Sequence, residues 1–147
     1  MQNVTTETLG PSLWRMNLIN KTTLTLSIFP LFSYATLNDY SKIESDCRKV
    51  NSGINNSIVM GCADLASDAA KKDMNVIYQK IYKIIDAREL PDITKSFEMA
   101  QKSWLTSREN WCDVQGFMIG TPMYSICRMD MNISRVNELN DLLEHIQ

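Results

Sequence analysis

Acid–base chemistry would have to come from one histidine and from the carboxylates, and neither group forms a recognisable catalytic site. His145 is the only histidine and lies third from the end of the sequence, so no other histidine is available for a Ser-His-Asp or Cys-His arrangement or a His-based zinc site. Five carboxylates have the spacing of a solvated helix surface instead: Asp64, Asp68, Asp73, Asp92 and Glu98. We therefore predict a protein that is not an enzyme, with no catalytic residues, metal or cofactor.

Four cysteines could either form disulfides or hold a metal: Cys47, Cys62, Cys112 and Cys127. Zinc is the poorer interpretation, because 14 residues separate the members of each outer pair and no C-x-x-C spacing occurs. An even number of cysteines in a small exported domain predicts two disulfides. Three pairings exist, and we favour Cys47 with Cys62 and Cys112 with Cys127 because both close locally. The nested pairing, Cys47 with Cys127 and Cys62 with Cys112, stays open.

Arg108 lies in the most strongly amphipathic stretch of the chain. Phe97, Ala100, Trp104, Arg108 and Trp111 recur at steps of three and four, so one stripe of a helix carries two indoles and a guanidinium. Such a helix draws most of its stability from packing. We therefore expect the stripe to face partner helices.

Other polar and aromatic side chains could join Arg108 from neighbouring stripes. The candidate group is Asn75, Tyr78, Gln101, Trp104, Arg108 and Arg135. One interpretation is a pocket that binds a ligand. The other is a structural polar network that fixes the helix register, with Arg108 stacked on an indole and satisfied by carbonyls or a carboxylate. We favour the structural interpretation because the group contains no nucleophile and base.

Gly116-Phe117-Met118-Ile119-Gly120 places three large apolar side chains between two glycines, which predicts a loop. In water these side chains are unfavourable unless they tuck under the fold or meet a partner. In the first case Phe117 and Ile119 plug the end of a helix bundle, and we expect at least one of them to do so. In the second case the segment is a partner-binding loop that offers an apolar anchor.

The first 35 residues have the features of a secretory signal region. Lys21 precedes a short apolar run that starts at Leu24, and small residues at Ser33 and Ala35 predict cleavage after Ala35. The run is too short to span a bilayer. A buried strand is the alternative, although nothing later in the sequence would pair with it. Met16 is an alternative to Met1 as the first residue of the protein. We predict a periplasmic or secreted protein with no transmembrane segment after signal cleavage.

Composition and charge indicate one globular domain that does not bind nucleic acid. The chain has 147 residues, of which 44% are apolar and 22% are charged, and its formal net charge is −2. No cationic surface is predicted, which disfavours nucleic acid as a partner. Removal of the signal region would take away Arg15, Lys21 and Glu7 and leave a net charge of −3. A mildly acidic exported protein is suited to a basic partner.

The apolar periodicity predicts an all-α fold. Residues 36–56 are polar and are predicted to form an irregular arm, with Asn56 or Ser57 capping the helix that follows. Residues 57–147 form the helical domain, with helices that end near Arg88 and Val114 and a third that starts at Pro122. We expect an up-down bundle of three long helices in which both disulfides and the Gly116–Thr121 loop lie at one end. A break near Lys71 and Lys72 is an alternative in the first helix.

Several motifs occur in a fixed order through the predicted domain. They are Cys47 and Cys62, Met74-Asn75-Val76-Ile77-Tyr78, Ala100-Gln101-x-x-Trp104-Leu105-x-x-Arg108-x-x-x-Cys112, and Cys127 followed eight residues later by Arg135. This order resembles the LprI-type lysozyme-inhibitor domain family over about residues 47–143. Its most specific part is the Gln-Trp-Leu-Arg-Cys helix. In the family an aspartate usually precedes the asparagine of the Asn-x-x-Tyr element by four residues, and here Lys71 stands there.

The resemblance implies a small exported helical domain that acts by binding a protein. We therefore expect a non-enzymatic protein that binds and blocks a lysozyme-like cell-wall hydrolase or a related periplasmic effector. The alternative is an envelope structural or stress protein that binds a small ligand or a membrane component through a polar pocket near Arg108. The aspartate that Lys71 replaces could be the ion-pair partner of the helix arginine in relatives. In that case Arg108 must pair with another carboxylate or with none.

Overall fold

The structure, a computed structural model, describes residues 38–51 and 55–147. These residues form four α-helices: α1 (Tyr40–Val50), α2 (Asn56–Ala87), α3 (Pro91–Ile119) and α4 (Pro122–Ile146). The prediction of an all-α fold with three long helices is confirmed. The predicted signal region, residues 1–35, lies outside the described residues. In the part that is described, no helix combines the length and the hydropathy needed to cross a bilayer.

The helices alternate in direction, as an up-down bundle requires. The C-terminal ends of α2 and α4 meet, because Arg88 Nη2 donates to the Ile146 carbonyl at 2.6 Å. Near the start of both helices, Asn56 Nδ2 lies 3.5 Å from Thr121 Oγ1. α3 runs the other way, since Phe97 near its start stacks on Tyr78 in the second half of α2, with ring centroids 4.7 Å apart.

The arm predicted to be irregular contains a helix, so that prediction is wrong for residues 40–50. Tyr40, Ile43 and Cys47 lie on one side of α1 at steps of three and four. Tyr40 and Ile43 pack against the core, and Tyr40 Oη donates to Asp73 Oδ2 at 2.7 Å. The Asp39 side chain caps α1 by accepting from the Lys42 amide at 3.0 Å. Only two apolar residues and one cysteine mark the inner side of α1, which was too weak a pattern to distinguish this helix from the polar sequence around it.

Two of the predicted boundaries of the long helices differ from the observed ones, namely the cap of α2 and the end of α3. Asn55, rather than Asn56 or Ser57, caps α2 by accepting from the Ile58 amide at 2.9 Å. α2 then continues to Ala87 with no break at Lys71. Pro122 begins α4 as predicted, and Pro91 begins α3. The side chain of Thr121, which precedes α4, makes no capping hydrogen bond. α3 ends at Ile119, five residues beyond the predicted end near Val114.

The hydrophobic core lies mainly between α2 and α4. Small residues on α2, Ala63, Ala66 and Ala70, are fully buried and let the two helices approach closely. Larger residues fill the other half of the interface: Met74, Ile77, Ile81, Ile85, Val136, Leu139 and Leu143. α3 adds only half-buried Phe97 and Trp104 to this apolar cluster. The positions of α3 that are buried are Gln101, Arg108, Cys112 and Gly116.

Two disulfides join the helices at one end of the bundle. Cys47 pairs with Cys62 and links α1 to α2, and Cys112 pairs with Cys127 and links α3 to α4. The favoured local pairing is therefore confirmed, and the nested alternative is excluded. Cys62 and Cys127 lie near the starts of their helices and Cys112 lies towards the end of α3. The end of α3 is thus fixed covalently to the start of α4.

Candidate functional site

Arg108 is buried between α3 and α4, with 7% of its surface exposed. Its Nη1 atom donates to Asn132 Oδ1 at 2.6 Å, and Asn132 Nδ2 donates to Ser67 Oγ on α2 at 2.8 Å. Its Nε atom donates to Glu109 Oε1 at 2.9 Å. One chain of hydrogen bonds therefore connects the three long helices through the middle of the bundle.

Glu109 is the carboxylate that balances Arg108, and it also binds a second arginine. Arg128 Nε donates to Glu109 Oε2 at 2.7 Å, and Arg128 Nη2 donates to Asp113 Oδ1 at 2.8 Å. Burial alone would raise the pKa of Glu109, but the hydrogen bonds from Arg128 and Arg108 outweigh it and hold the pKa below its ordinary value of 4.5. Glu109 is therefore ionised at neutral pH. Lys71 stands where relatives have an aspartate, and Arg108 pairs instead with the carboxylate of Glu109, the next residue in the chain.

Trp104 lies between two arginines. The guanidinium of Arg108 is 5.4 Å and that of Arg135 is 5.6 Å from the centroid of its ring. Arg135 Nε also donates to Gln101 Oε1 at 3.1 Å, and Gln101 Nε2 donates to the Met74 sulfur at 3.5 Å. Four of the six predicted network residues, Gln101, Trp104, Arg108 and Arg135, are thus brought together.

The other two predicted network residues lie elsewhere. Asn75 is exposed on α2, and Tyr78 stacks on Phe97. The sequence-based group lacked Ser67, Glu109, Arg128 and Asn132, which complete the network. Throughout residues 38–51 and 55–147, each buried side-chain nitrogen or oxygen has a hydrogen-bond partner, and no cluster of acidic, cysteine or histidine side chains could hold a metal ion. The groups around Arg108 are satisfied by one another.

The segment predicted to be a partner-binding loop forms the last turn of α3 instead. Gly116 to Ile119 are helical, and only Gly120 and Thr121 connect α3 to α4. The exposed fractions of Phe117, Met118 and Ile119 are 79%, 73% and 69%. Neither Phe117 nor Ile119 plugs the end of the bundle, so that alternative is wrong.

Gly116 lies within the helix and has a packing role there rather than a role in a turn. A Cβ atom at Gly116 would lie 2.3 Å from the ring of Tyr124, which is closer than atoms can approach. Glycine therefore lets the start of α4 pack directly against the backbone of α3. Gly120 has a φ of 139°, a conformation that residues with a Cβ rarely adopt. The chain turns into α4 at this residue.

Two further exposed side chains enlarge this apolar surface. Trp111 is 54% and Val114 is 52% exposed, so Trp111 and the exposed Ala100 do not face the core as the predicted stripe required. Trp111, Val114 and Met118 follow one another at steps of three and four, which places them on one face of α3. That spacing was the signal in the sequence that could have identified them. Together with Phe117 and Ile119 they form what is called here the apolar end of α3.

Comparison with known proteins identifies the family of this domain. The family model described as lysozyme inhibitor LprI matches residues 47–139. The chain belongs to this family. The match to the LprI family includes all four disulfide-bonded cysteines, the whole of α3 and most of α4. No curated protein and no solved structure matches the chain.

Proposed function

We propose that this protein is an exported inhibitor that binds and blocks a lysozyme-like cell-wall hydrolase, with the apolar end of α3 as its contact surface. Membership of the LprI family supports an inhibitor that is not an enzyme, acts on a protein partner and works outside the cytoplasm. The two disulfides fit an oxidising compartment.

The exposed apolar side chains at the end of α3 carry this proposal. Trp111, Val114, Phe117, Met118 and Ile119 are each more than half exposed. They offer on the order of 600 Å² of surface if a large side chain contributes about 200 Å². Trp111, Val114 and Met118 lie on one face of α3, while Phe117 and Ile119 lie on either side of it at the helix end. An exposed apolar surface of that total size is at the upper end of what a monomer exposes and commonly marks an interaction site.

The base of this surface is rigid, which favours binding. The Cys112–Cys127 disulfide and the ion pairs of Arg128 with Glu109 and Asp113 hold the last turns of α3 against α4. A convex helix end with a fixed backbone loses little backbone freedom when it enters a cleft. Phe117 and Ile119 are the side chains we assign as anchors.

The alternative hypothesis of a ligand pocket beside Arg108 is supported less well. Its guanidinium already donates to Asn132 and Glu109, and Trp104 is occupied by two guanidinium groups. A ligand would have to displace these contacts. We therefore keep Arg108 as a structural residue in the proposed mechanism.

Inhibition of cell-wall lysis tests the proposal. The full chain, expressed in an exporting host and purified in oxidised form, is expected to slow the clearing of a cell-wall suspension by lysozyme at micromolar excess. The double variant Phe117→Ser and Ile119→Ser is expected to lose at least about tenfold in inhibitory potency while its melting temperature stays unchanged. Unchanged lysis with the native protein would refute the lysozyme form of the proposal.

A matched control uses two exposed apolar residues on α2. Leu65 and Val76 are 54% and 45% exposed and lie on α2 rather than α3. The double variant Leu65→Ser and Val76→Ser is expected to inhibit as the native protein does. Equal losses in both double variants would indicate a general effect of surface hydrophobicity and would remove the assignment to α3.

A further inference from the structure

The side of α3 that faces away from the core carries no charged residue over about six turns. Eleven exposed residues make up this outer face: Ser96, Met99, Ala100, Ser103, Thr106, Ser107, Asn110, Trp111, Val114, Phe117 and Met118. The charged residues Lys95, Lys102 and Asp113 lie along one border. Helix surfaces that only meet water normally carry charge, so an uncharged outer face indicates that something covers it.

The order of side-chain sizes on the outer face indicates what that partner is. Seven of its residues follow one line at steps of four, three, four, four, three and four: Ser96, Ala100, Ser103, Ser107, Trp111, Val114 and Met118. These steps are symmetric about Ser107. The three residues before Ser107 are small and the three after it are large. A helix with this pattern is complementary in shape to a second copy of itself running the opposite way.

We propose that two copies of the chain pair through the outer face of α3, antiparallel, with a two-fold axis at Ser107. In this arrangement Trp111 lies opposite Ser103 of the second copy, and Val114 lies opposite its Ala100. Large side chains then fill the space left by small ones, as ridges fill grooves between packed helices. A two-fold interface joins the same surface on both subunits.

Charge and the neighbouring side chains support a second copy as the occupant. In a symmetric pair any charge on the axis would face its own copy, and the outer face avoids this repulsion because it has none. Beside the central line, Met99 of one copy lies on the same side as Phe117 of the other, about 3 Å apart along the helix axis at about 1.5 Å per residue. The exposed fractions of Met99 and Phe117 are 59% and 79%, and this contact would bury both.

The size of the interface predicts a reversible dimer. From Ser96 to Met118 the face is about 33 Å long at about 1.5 Å per residue. One pair of helices of this length buries an area at the low end of specific interfaces, where weak and transient complexes are found. We therefore expect reversible association. The pairing goes beyond the proposed inhibitory function and does not depend on it. If both hold, they compete for the apolar end of α3, and the monomer is the inhibitory form.

Sedimentation equilibrium of the oxidised full-length product tests the pairing. From about 1 µM to about 300 µM the native protein is expected to pass from monomer to dimer. Ser107→Arg places two guanidinium groups face to face on the axis and is expected to weaken dimerisation by at least about tenfold. Ser134→Arg is the control, because Ser134 is an exposed serine on α4. A protein that stays monomeric at all concentrations would overturn the proposal.

The proposal would also be overturned if the dimer survived Ser107→Arg, or if Ser107→Arg and Ser134→Arg weakened the dimer equally. Val114→Arg is a second variant on the outer face, and it must weaken the dimer as Ser107→Arg does. Lysis inhibition separates the two proposals, because Ser107→Arg leaves Phe117 and Ile119 in place. The Ser107→Arg variant is expected to inhibit lysis at least as well as the native protein. A native dimer without inhibition refutes only the proposed function.

Discussion

Replacing Arg108 with methionine is expected to lower the free energy of unfolding by about 3 kcal/mol. The substitution removes a charge-assisted hydrogen bond to Asn132, worth about 1.5–3 kcal/mol, and leaves the buried Asn132 oxygen without its donor. It also removes the contact with Trp104, worth about 0.5–1 kcal/mol. The bond to the partly exposed Glu109 contributes less because solvent screens it. Methionine restores part of the packing through its flexible side chain.

Thermal and denaturant unfolding followed by circular dichroism would measure this effect with both disulfides intact. For a domain of this size the melting temperature is expected to fall by roughly 12 °C, at about 4 °C per kcal/mol. Arg48→Met is the control, because the ion pair of Arg48 with Glu44 lies on the surface of α1 and is worth no more than about 0.5 kcal/mol. A loss below about 1 kcal/mol for Arg108→Met, or a gain, would refute the structural role, since removing a ligand-binding charge commonly stabilises a protein.

Two further predictions concern the same end of the bundle. Because the pKa of Glu109 is lowered below 4.5 in the folded protein, its contribution to stability is complete above that pH and is lost as the pH falls through the folded pKa. The melting temperature of native protein should therefore exceed that of Glu109→Gln at pH 7, and the difference should shrink in acid; a constant difference would contradict this. Gly116→Ala is expected to lower the free energy of unfolding by about 1–3 kcal/mol, because the new methyl group displaces Tyr124. Gly61→Ala, which has open space around it, should raise the free energy of unfolding by about 0.5–1 kcal/mol. Urea unfolding would measure both variants, and losses of equal size would contradict the packing argument.

The long helices could be predicted because their apolar residues repeat at the helical period and prolines mark two starts. The end of α3 could not be predicted in this way. Gly116 and Gly120 have the same local signature in the sequence, yet only Gly120 adopts a positive φ. Gly116 is required by the ring of Tyr124 on the next helix. A contact between two helices decides its conformation, and the sequence near Gly116 does not contain that contact.

The polar network could be predicted only in part, because contacts within one helix follow from the sequence and contacts between helices do not. Trp104 and Arg108 are four residues apart on one helix, so their contact follows from helix geometry. Asn132 and Ser67 depend on the register between helices, which periodicity alone does not give. A signal for Asn132 was present, because it falls between Met129 and Val136 at the spacing of the buried residues of α4. A polar residue at a core position needs a buried partner.

The inner side of α3 includes buried polar residues while large apolar residues on its outer side stay exposed, and the two proposals depend on this arrangement. Gln101 and Arg108 are buried while Trp111 and Val114 are exposed. With an apolar inner face as well, α3 could rotate about its axis and bury the outer face instead. The Cys112–Cys127 disulfide and the hydrogen bond of Arg108 to buried Asn132 both oppose this rotation, because each forms in only one orientation of α3. A buried polar contact can select one arrangement at some loss of stability, and here the arrangement it selects keeps the apolar end of α3 available to a partner.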